Sequence, residues 1–435
     1  MSTAFGQETL VGTVADETKT ESENTLPNPT PPDGGGRAWS VLLGVWITQF
    51  VTLGCSNSYG VYNDFYVRVY LKDSFTSSQI SWIGSVQLLL VFASGLFAGR
   101  AFDAGHFYLL MIGGSFLLVF SLFMLSLTHP GQYYQIFLSQ GLGAGIAMGI
   151  TYIPGIAVLS HWFHRRRALA MGIATTGSAL GGALQPIMLN KLFHGPVGFH
   201  TGVRANAALN FGLLVIALLL MKPKPEMVSR NQGSLRRELR VFMTDPPYVI
   251  MVMGLILLSM GFYFPAFFLQ LNAIKNGVAP GFAFYTLVIL NGTSIVGRAF
   301  PNIFAASIGV FTMIIPATAG CGILILSTAA IKDVAGTMTL AVLYGFFSGA
   351  YAGLLAPMVG SLAKEDSEIG SRIGICFTFA GFGALIGAPI AGALLTPAFL
   401  WWRPILFSGL SVLTGCFLLA VSRFLVSRKR GTPWV

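Results

Sequence analysis

HWFHRRRALAMGIATTGSALGGALQP, residues 161–186, is the stretch of sequence that decides the fold. Arg165, Arg166 and Arg167 stand between two long apolar runs, and the cost of moving a guanidinium group into lipid places them at a membrane surface. Four glycines follow and leave notches for a neighbouring helix backbone: Gly172, Gly177, Gly181 and Gly182. Because proline removes a backbone donor, Pro186 is expected to interrupt this helix. A basic surface segment that leads into a thin, breakable helix predicts moving parts.

The composition indicates an integral membrane protein. Apolar residues make up 54% of the chain and charged residues 10%, with a mean hydropathy of +0.70, whereas a soluble domain carries roughly 25% charged residues. The net charge of +10 would favour nucleic acid as the partner of a soluble chain. In a membrane protein, that charge has to be compared first with the topology.

Apolar runs of about 20 residues, the length that crosses a bilayer, recur about twelve times. They predict an all-α integral membrane fold with twelve transmembrane helices in two six-helix bundles. The predicted spans are about 38–62, 80–100, 107–128, 132–160, 168–189, 204–221, 248–271, 281–300, 307–331, 336–361, 372–396 and 402–424. The predicted domains are a disordered N-terminal tail, 1–37, a first bundle, 38–221, a basic linker, 222–247, a second bundle, 248–424, and a C-terminal tail, 425–435.

The distribution of basic residues predicts the orientation in the membrane. If both termini are cytosolic, nineteen of the 26 lysines and arginines fall in cytosolic segments, as the positive-inside rule requires. Topology therefore explains the excess charge, and no nucleic-acid partner is needed. The first 32 residues are polar and carry no signal peptide. The default expectation is a multi-pass protein of the plasma membrane with both termini in the cytosol.

No pattern in the sequence favours a metal site, a cofactor or a catalytic residue. The cysteines all fall inside apolar runs without metal spacing: Cys55, Cys321, Cys376 and Cys416. The six histidines show no HExxH-type spacing. A membrane enzyme would need a cluster of such groups on one membrane face, so we expect no enzyme, no metal and no cofactor.

The two halves of the chain repeat one pattern weakly. GIAMGITYIP contains Gly145, Gly149 and Pro154, and GAYAGLLAP contains Gly349 and Pro357. Each motif is followed by a basic loop and a glycine-rich helix with a proline near its end. Internal repeats of this kind build alternating access in many secondary transporters. The plain alternative is that membrane helices favour small residues in general.

Three local sequences carry a family resemblance. Residues 33–39, DGGGRAW, resemble the DGG-x-x-x-W signature that precedes span 1 in the monocarboxylate porter family of the major facilitator superfamily. Residues 161–182 are similar to the span 5 signature of that family, and residues 99–107, GRAFDAGHF, resemble the loop between spans 2 and 3 of the superfamily. These local sequences are most similar to those of fungal members of the family. The resemblance implies a twelve-helix transporter with a central cavity that opens alternately to each side of the lipid bilayer.

Arg298 is the sharpest candidate for substrate binding. Asn291, Ser294 and Arg298 are spaced at i, i+3 and i+7, which places them on one helix face. The resemblance maps the family's span 8 arginine, which pairs with a substrate carboxylate, onto Arg298. A guanidinium group suits this role because it stays charged and offers a planar fork of donors. The alternative is an arginine that anchors the end of a span at the headgroups.

The chain departs from proton-coupled members of the family at two positions. Those members carry an acidic residue one turn before the arginine, where this chain has Ser294, and a span 1 lysine, where it has Asn57. Coupling to a proton by the usual residues is therefore in doubt. Three other groups remain open as proton carriers: Asp64, His161 and His164.

Other polar residues of the spans are candidates for the cavity or for a gate. Asn57, Thr151, Tyr152 and Tyr351 are predicted to line the cavity, because polar groups in lipid need partners or water. Helix-to-helix hydrogen bonding is their alternative role. The predicted gating residues lie at the cytosolic helix ends: Arg100, Asp103, Arg166 and Arg167.

The sequence favours a transporter that moves a small organic acid or an acidic secondary metabolite, in the outward direction as an efflux carrier. A phenylalanine-rich cavity that includes Phe264, Phe267 and Phe379 would suit a bulky substrate better than a lactate-sized one. Two alternatives stay open. One is proton-coupled uptake of a monocarboxylate or vitamin, and the other is a non-transporting membrane sensor on a carrier fold.

Overall fold

The computed structural model describes residues 33–71, 74–224, 235–275, 277–363, 368–395 and 400–432. Most of the predicted N-terminal tail, part of the predicted linker and the last three residues lie outside these ranges. Eleven helices in the described part are long and apolar enough to cross a membrane. The twelfth predicted span is the helix Arg167–His194, which its glycines, hydroxyl groups and amides make less apolar than the others.

The described residues of the first half of the chain form nine α-helices. They are α1 (Gly36–Asn57), α2 (Tyr59–Phe65), α3 (Ser77–Ala93), α4 (Gly95–Asp103), α5 (Phe107–Leu125), α6 (Tyr133–Ile136), α7 (Gly145–Ala157), α8 (Arg167–His194) and α9 (Gly198–Leu220). Two π-helical segments, Tyr66–Tyr70 and Phe137–Ala144, extend α2 and join α6 to α7, and Val158–His161 is a 3₁₀ turn after α7. Spans 1, 2 and 4 are therefore chains of short helices rather than single straight helices.

In the second half, the residues that the structure describes form a linker helix and seven further helices. They are α10 (Leu235–Met243), α11 (Pro246–Phe262), α12 (Phe264–Lys275), α13 (Pro280–Ile308), α14 (Val310–Ser327), α15 (Val334–Ser361), α16 (Ile369–Leu395) and α17 (Trp402–Arg430). Span 7 is broken between α11 and α12 in the way that span 1 is broken between α1 and α2. The break before Tyr59 in one half and at Tyr263 in the other leaves short outer helices beside the central cavity.

The expectation that Pro186 interrupts its helix is wrong. Helix α8 runs through Pro186 to His194, and α16 runs through Pro389 to Leu395. Pro154 and Pro357 also lie inside their helices. A proline removes a single backbone hydrogen bond, and membrane helices tolerate that loss where neighbouring helices pack around them.

The glycine motifs of the two halves pack in the same way. A Cβ atom added to Gly149 of α7 would lie 2.6 Å from the Val91 carbonyl oxygen of α3, and one added to Gly353 of α15 would lie 2.7 Å from the Arg298 carbonyl oxygen of α13. These distances leave no room for a side chain, so span 4 lies directly on span 2 and span 10 on span 8. The weak repeat in the sequence therefore corresponds to a repeated helix crossing.

The first six spans pack mainly on one another, and so do the last six. The two halves meet along two lines of contact. We call the contact of α8 with α13 the α8–α13 seam, and the contact of α3 and α4 with α16 the α4–α16 seam. These seams enclose the central cavity.

Candidate functional site

A cavity of about 110 Å³ lies between the two halves. Residues from spans 1, 2, 7, 8 and 10 line it: Ser56, Asn57, Tyr59, Gly60, Gly84, Gln87, Leu88, Phe262, Tyr263, Ala266, Phe267, Leu287, Leu290, Asn291, Ser294, Arg298, Tyr344 and Ser348. The wall is mostly apolar and aromatic, with a few amides, hydroxyl groups and one guanidinium group. Such a combination is typical of a site that binds a small organic molecule.

The predicted helix face of span 8 is turned toward this cavity. Asn291, Ser294 and Arg298 all contribute to its lining, and Asn57 faces them from α1. The hydroxyl of Ser294 donates to the Asn291 carbonyl oxygen, 2.8 Å away, and is therefore satisfied within its own helix. The described lining residues include no aspartate, glutamate or histidine. Arg298 is therefore the charged group of the cavity wall in this part of the chain.

The Arg298 side chain reaches across the α8–α13 seam. Its Nη1 atom donates to the Ser178 hydroxyl oxygen at 2.9 Å and to the Thr175 carbonyl oxygen at 3.1 Å, both on α8. Its Nε atom is buried and has no hydrogen-bond partner among the described residues. A guanidinium group held by two neutral oxygens, with one N–H unmatched, is ready to accept an anion.

The turn of α8 that carries Ser178 also contacts α1. Asn57 Nδ2 donates to the Ser178 carbonyl oxygen at 3.5 Å. One turn further along, a Cβ atom added to Gly182 would lie 3.0 Å from Asn291 Oδ1 and 2.9 Å from Asn57 Cβ. The absence of a side chain at Gly182 therefore lets spans 1, 5 and 8 converge beside the cavity.

Three of the predicted cavity residues occupy other places. Thr151 is fully buried, bonds to the carbonyl oxygens of its own helix and packs its methyl group against Gly114 of α5. The expectation that Thr151 lines the cavity is therefore not met. Tyr351 lies behind the wall, with its ring 4.8 Å from that of Phe262.

Tyr152 also lies behind the cavity wall, where its ring stacks on Phe377 at 5.9 Å. It is close enough to Arg298 to interact with it electrostatically. Of the three predicted phenylalanines, Phe267 lines the cavity, whereas Phe264 and Phe379 are not part of its wall.

The cavity continues toward one end of the molecule, which we call the Asn63 end. A space of about 230 Å³ shares Tyr59 and Phe267 with the cavity and extends to Asp64 and Arg68. A second space of about 500 Å³ shares the same two residues and reaches α16. Asp64 forms an exposed ion pair with Arg68 at 2.6 Å, so it lies at the mouth of this path.

The opposite end, which we call the Asp103 end, is closed by the α4–α16 seam. A Cβ atom added to Gly374 would lie 2.1 Å from the Gly95 carbonyl oxygen, and one added to Gly99 would lie 2.3 Å from the Gly370 carbonyl oxygen. The buried Asp103 carboxylate accepts hydrogen bonds from the Ser371 amide at 2.8 Å and the Ser371 hydroxyl at 2.9 Å. Glycine backbones and one carboxylate thus join the halves.

The linker helix α10 contacts the same end. Arg372, the residue after Ser371, is buried, and its guanidinium group lies 4.3 Å from the ring of Phe242 on α10. Its Nε atom also pairs with Glu368 at 3.1 Å. The predicted gating residue Arg100 is half-buried on α4, one turn before Asp103.

Two motifs that the sequence analysis treated separately are in contact. The Asp33 carboxylate accepts hydrogen bonds from the backbone N–H groups of His164 at 2.6 Å and Arg165 at 2.7 Å, with Arg166 at 3.4 Å. Partial burial raises the pKa of Asp33, but these backbone donors outweigh it and hold the pKa below its ordinary value. Asp33 therefore ties the start of span 1 to the start of span 5. Arg167 begins α8.

No group of three metal-ligating side chains occurs in the described part of the chain. The four cysteines are buried and free. The residues that sequence reasoning missed in the site are Thr175, Ser178, Gln87 and Tyr263. They come from spans 2, 5 and 7, and their spacing in the sequence gives no signal that they meet Arg298.

Helices long enough to span a membrane, arranged in two packed halves around a cavity with one charged group, define a membrane transporter. The family model of the Major Facilitator Superfamily matches residues 41–338. The chain belongs to this superfamily.

Two fungal relatives match most of the chain. The MFS-type transporter dbaD of Emericella nidulans is 35% identical over 393 residues, 90% of this chain and 87% of the relative. The Fujikurins efflux protein of Gibberella fujikuroi is 36% identical over 406 residues, 92% of this chain and 85% of the relative. Among solved structures, the human organic anion transporter MFSD10 (TETRAN) matches with a TM-score of 0.62 at 15% identity over 90% of this chain and all of that chain, which shows the common fold.

Proposed function

We propose that this transporter exports an acidic secondary metabolite, and that Arg298 binds the acidic group of the substrate. The observation that carries the proposal is the Arg298 guanidinium group in the cavity wall, held by neutral oxygens and left with an unmatched buried N–H. An anion would satisfy that group better than a hydroxyl or a carbonyl does. The monocarboxylate porter type, to which the local motifs are similar, binds substrate acids with an arginine in span 8.

The direction of transport is proposed from relatives and from chain geometry. A relative with 36% identity is named as an efflux protein for fujikurins. The path from the cavity leads to the Asn63 end, while the Asp103 end is closed. With both termini in the cytosol, as the basic residues predict, this conformation faces outward. A carrier that has just released its cargo outside would have this geometry and a cavity of this size.

Alternating access would arise from rocking of the two halves. In this proposal the bundles at 38–221 and 248–424 move against each other, with the basic segment 222–247 as their connection in the cytosol. Arg100 and Asp103 of α4 and Arg166 and Arg167 at the start of α8 would lie on the cytosolic gate. The plasma membrane is the proposed location.

The aromatic wall supports a substrate with a flat body. Phe262, Tyr263, Phe267 and Tyr344 line the cavity, and ring faces of this kind bind conjugated or aromatic groups. Because the described lining contains no acidic side chain or histidine, the proposal favours export without a proton carrier in the cavity over proton-coupled uptake.

The experiment is expression in a host that lacks its own acid carriers, with acids inside and outside the cells compared at two external pH values. Arg298→Ala should reduce export about 30-fold or more, because it removes a buried charge partner worth at least about 2 kcal/mol. Arg298→Lys should restore export only in part, since lysine lacks the planar fork.

Arg204→Ala is the matched control, because Arg204 is an exposed arginine of α9 outside the cavity lining. It should transport at the wild-type rate. Equal surface abundance of the variants must be verified by immunoblot. Wild-type export of acidic metabolites that survives Arg298→Ala would overturn the assigned role of Arg298.

A further inference from the structure

Helix α8 supplies two oxygen atoms to Arg298 at the place where a substrate acid would bind. We propose that Ser178, with the carbonyl group of Thr175, is a placeholder for the substrate in the unloaded carrier. The acidic group of the substrate and the α8 oxygens then compete for one guanidinium group. This inference rests on the proposed function, because it concerns how the same site is emptied and refilled.

The first support is the geometry of the contact. Ser178 is fully buried on α8 and its hydroxyl donates to the Thr175 carbonyl oxygen at 2.8 Å, which turns its own lone pairs toward Arg298. Arg298 Nη1 lies 2.9 Å from that hydroxyl oxygen. The acceptor is therefore fixed on its own helix α8, and its bond with the guanidinium group of α13 crosses the α8–α13 seam.

The second support is the size of the cavity in this arrangement. The part of the cavity that Arg298 lines has a volume of about 110 Å³ and opens past Tyr59 and Phe267 into larger spaces that Arg298 does not line. Pockets for organic ligands have volumes of about 300–1,000 Å³. The space directly beside Arg298 therefore holds only part of an organic acid, and we expect the contact with α8 to break when the acidic group binds there.

The third support is the absence of another partner for the charge. Ser294 takes the place of the acid found in proton-coupled relatives, and its hydroxyl group bonds within α13. The described lining of the cavity contains no acidic side chain. A buried guanidinium group without a hydrogen-bond partner destabilises the protein. The neutral oxygens of α8 therefore allow Arg298 to remain charged and buried in the empty carrier.

Competition has a specific kinetic consequence. Removal of the Ser178 hydroxyl destabilises the empty state, in which Arg298 depends on it, and leaves the loaded state unchanged. The affinity for an anion should therefore rise, while the return of the empty carrier should slow. Net export requires that return, whereas exchange of substrate for substrate does not.

The test uses the purified full-length carrier in liposomes with radiolabelled para-aminohippurate, an aromatic monocarboxylate, as the probe. Ser178→Ala should lower the half-saturating probe concentration at least about 10-fold, the value of one hydrogen bond to a charged group. Net efflux into probe-free medium should fall by a similar factor. Probe-for-probe exchange should stay within about twofold of wild type.

Ser115→Ala is the matched control, since it removes a buried serine hydroxyl group on α5, outside the cavity lining and away from Arg298. It should leave affinity, net efflux and exchange unchanged. Ser178→Cys, which keeps the volume but is a weak acceptor, should reproduce Ser178→Ala and so exclude a packing defect.

The outcomes separate the two proposals. A fall of net efflux and exchange by the same factor in Ser178→Ala, or an unchanged affinity, would overturn the placeholder role while the proposed function stands. A wild-type carrier that moves no probe, and whose Arg298→Ala variant exports acids from cells normally, would overturn the proposed function itself.

Discussion

The two seams between the halves are built from different atoms. In the α4–α16 seam glycine backbones touch, and a Cβ atom on Gly374 would meet the Gly95 carbonyl oxygen at 2.1 Å. In the α8–α13 seam a glycine faces a side chain, and a Cβ atom on Gly172 would meet Asn302 Nδ2 at 2.6 Å. Backbone cannot move aside without moving its helix, whereas the amide group of Asn302 can rotate and only its Cβ atom, 2.8 Å from the added one, is fixed.

Because of this difference, we expect the two seams to have different roles in transport. We propose that the α4–α16 seam acts as a rigid gate, which the contact of Asp103 with Ser371 holds closed in this structure. The α8–α13 seam contains adjustable side chains, among them Arg298, and so can respond to the occupant of the cavity. A gate at one seam and a sensor at the other would couple binding to closure.

The largest expected effect is that of a single methyl group on the rigid seam. Gly374→Ala should reduce export about 10- to 100-fold, because the added Cβ atom forces two helix backbones apart. Gly113→Ala, at a glycine with no atom within 4 Å of the added Cβ, is the control and should be neutral. Export rates at equal surface abundance provide the measurement. A Gly374→Ala carrier with the wild-type rate would contradict the rigid-gate assignment.

A slightly smaller effect is expected at the carboxylate of the same seam. Asp103→Asn weakens two charge-assisted hydrogen bonds to Ser371, so the closed population should fall about 5- to 30-fold relative to the open one. Spin labels on His106 and Arg428, which are exposed on the two halves, report the opening as a longer distance. The same distance distribution in Asp103→Asn and in wild type would show that this carboxylate does not hold the gate.

Substitution of Asp33 tests the anchor of α8, and its effect on thermal stability is expected to depend on pH. Its pKa is depressed in the folded protein, so its stabilisation is present above the unfolded-state value of about 3.9 and is lost as the pH falls through the folded-state pKa. Asp33→Asn should lower the thermal midpoint at neutral pH by about 2–4 °C. Near pH 3 the difference from wild type should shrink. Midpoints that differ equally at both pH values would refute an electrostatic anchor.

The smallest expected effect is at the adjustable seam. Gly172→Ala should reduce export about 2- to 5-fold, because the amide of Asn302 can turn away from the added methyl group and only Asn302 Cβ, 2.8 Å from the added atom, requires a small helix shift. Assay of this variant beside Gly374→Ala compares the same substitution at the two seams. If Gly172→Ala were as damaging as Gly374→Ala, the two seams would not differ in the way proposed.

The spans and the helix face of Arg298 could be predicted because each depends on local periodicity. Apolar runs of sufficient length predict membrane helices, and the spacing of Asn291, Ser294 and Arg298 places them on one side whatever their neighbours are. The glycine pattern also indicated that α8 leaves room for the close approach of a neighbouring helix. These signals are contained within a single helix.

The partners of that face could not be predicted, because they come from other helices. Nothing in residues 175–178 shows that they meet span 8, since that contact depends on how the halves dock. Thr151 was misplaced because a threonine can satisfy its hydroxyl group on its own helix. Pro186 was misread because the sequence does not show the neighbours that let a helix pass through a proline.

The most direct test of the account is a pair of distance measurements by double electron–electron resonance on the full-length carrier in lipid nanodiscs. One label pair, His106 with Arg428, spans the Asp103 end, and the other, Arg68 with Leu271, spans the Asn63 end. Without substrate, the first distance should be short and the second long. A transported acid should lengthen the first and shorten the second together, and Arg298→Ala should abolish the response. Distances that stay fixed, or that change in the same direction at both ends, would contradict rocking of the halves about Arg298.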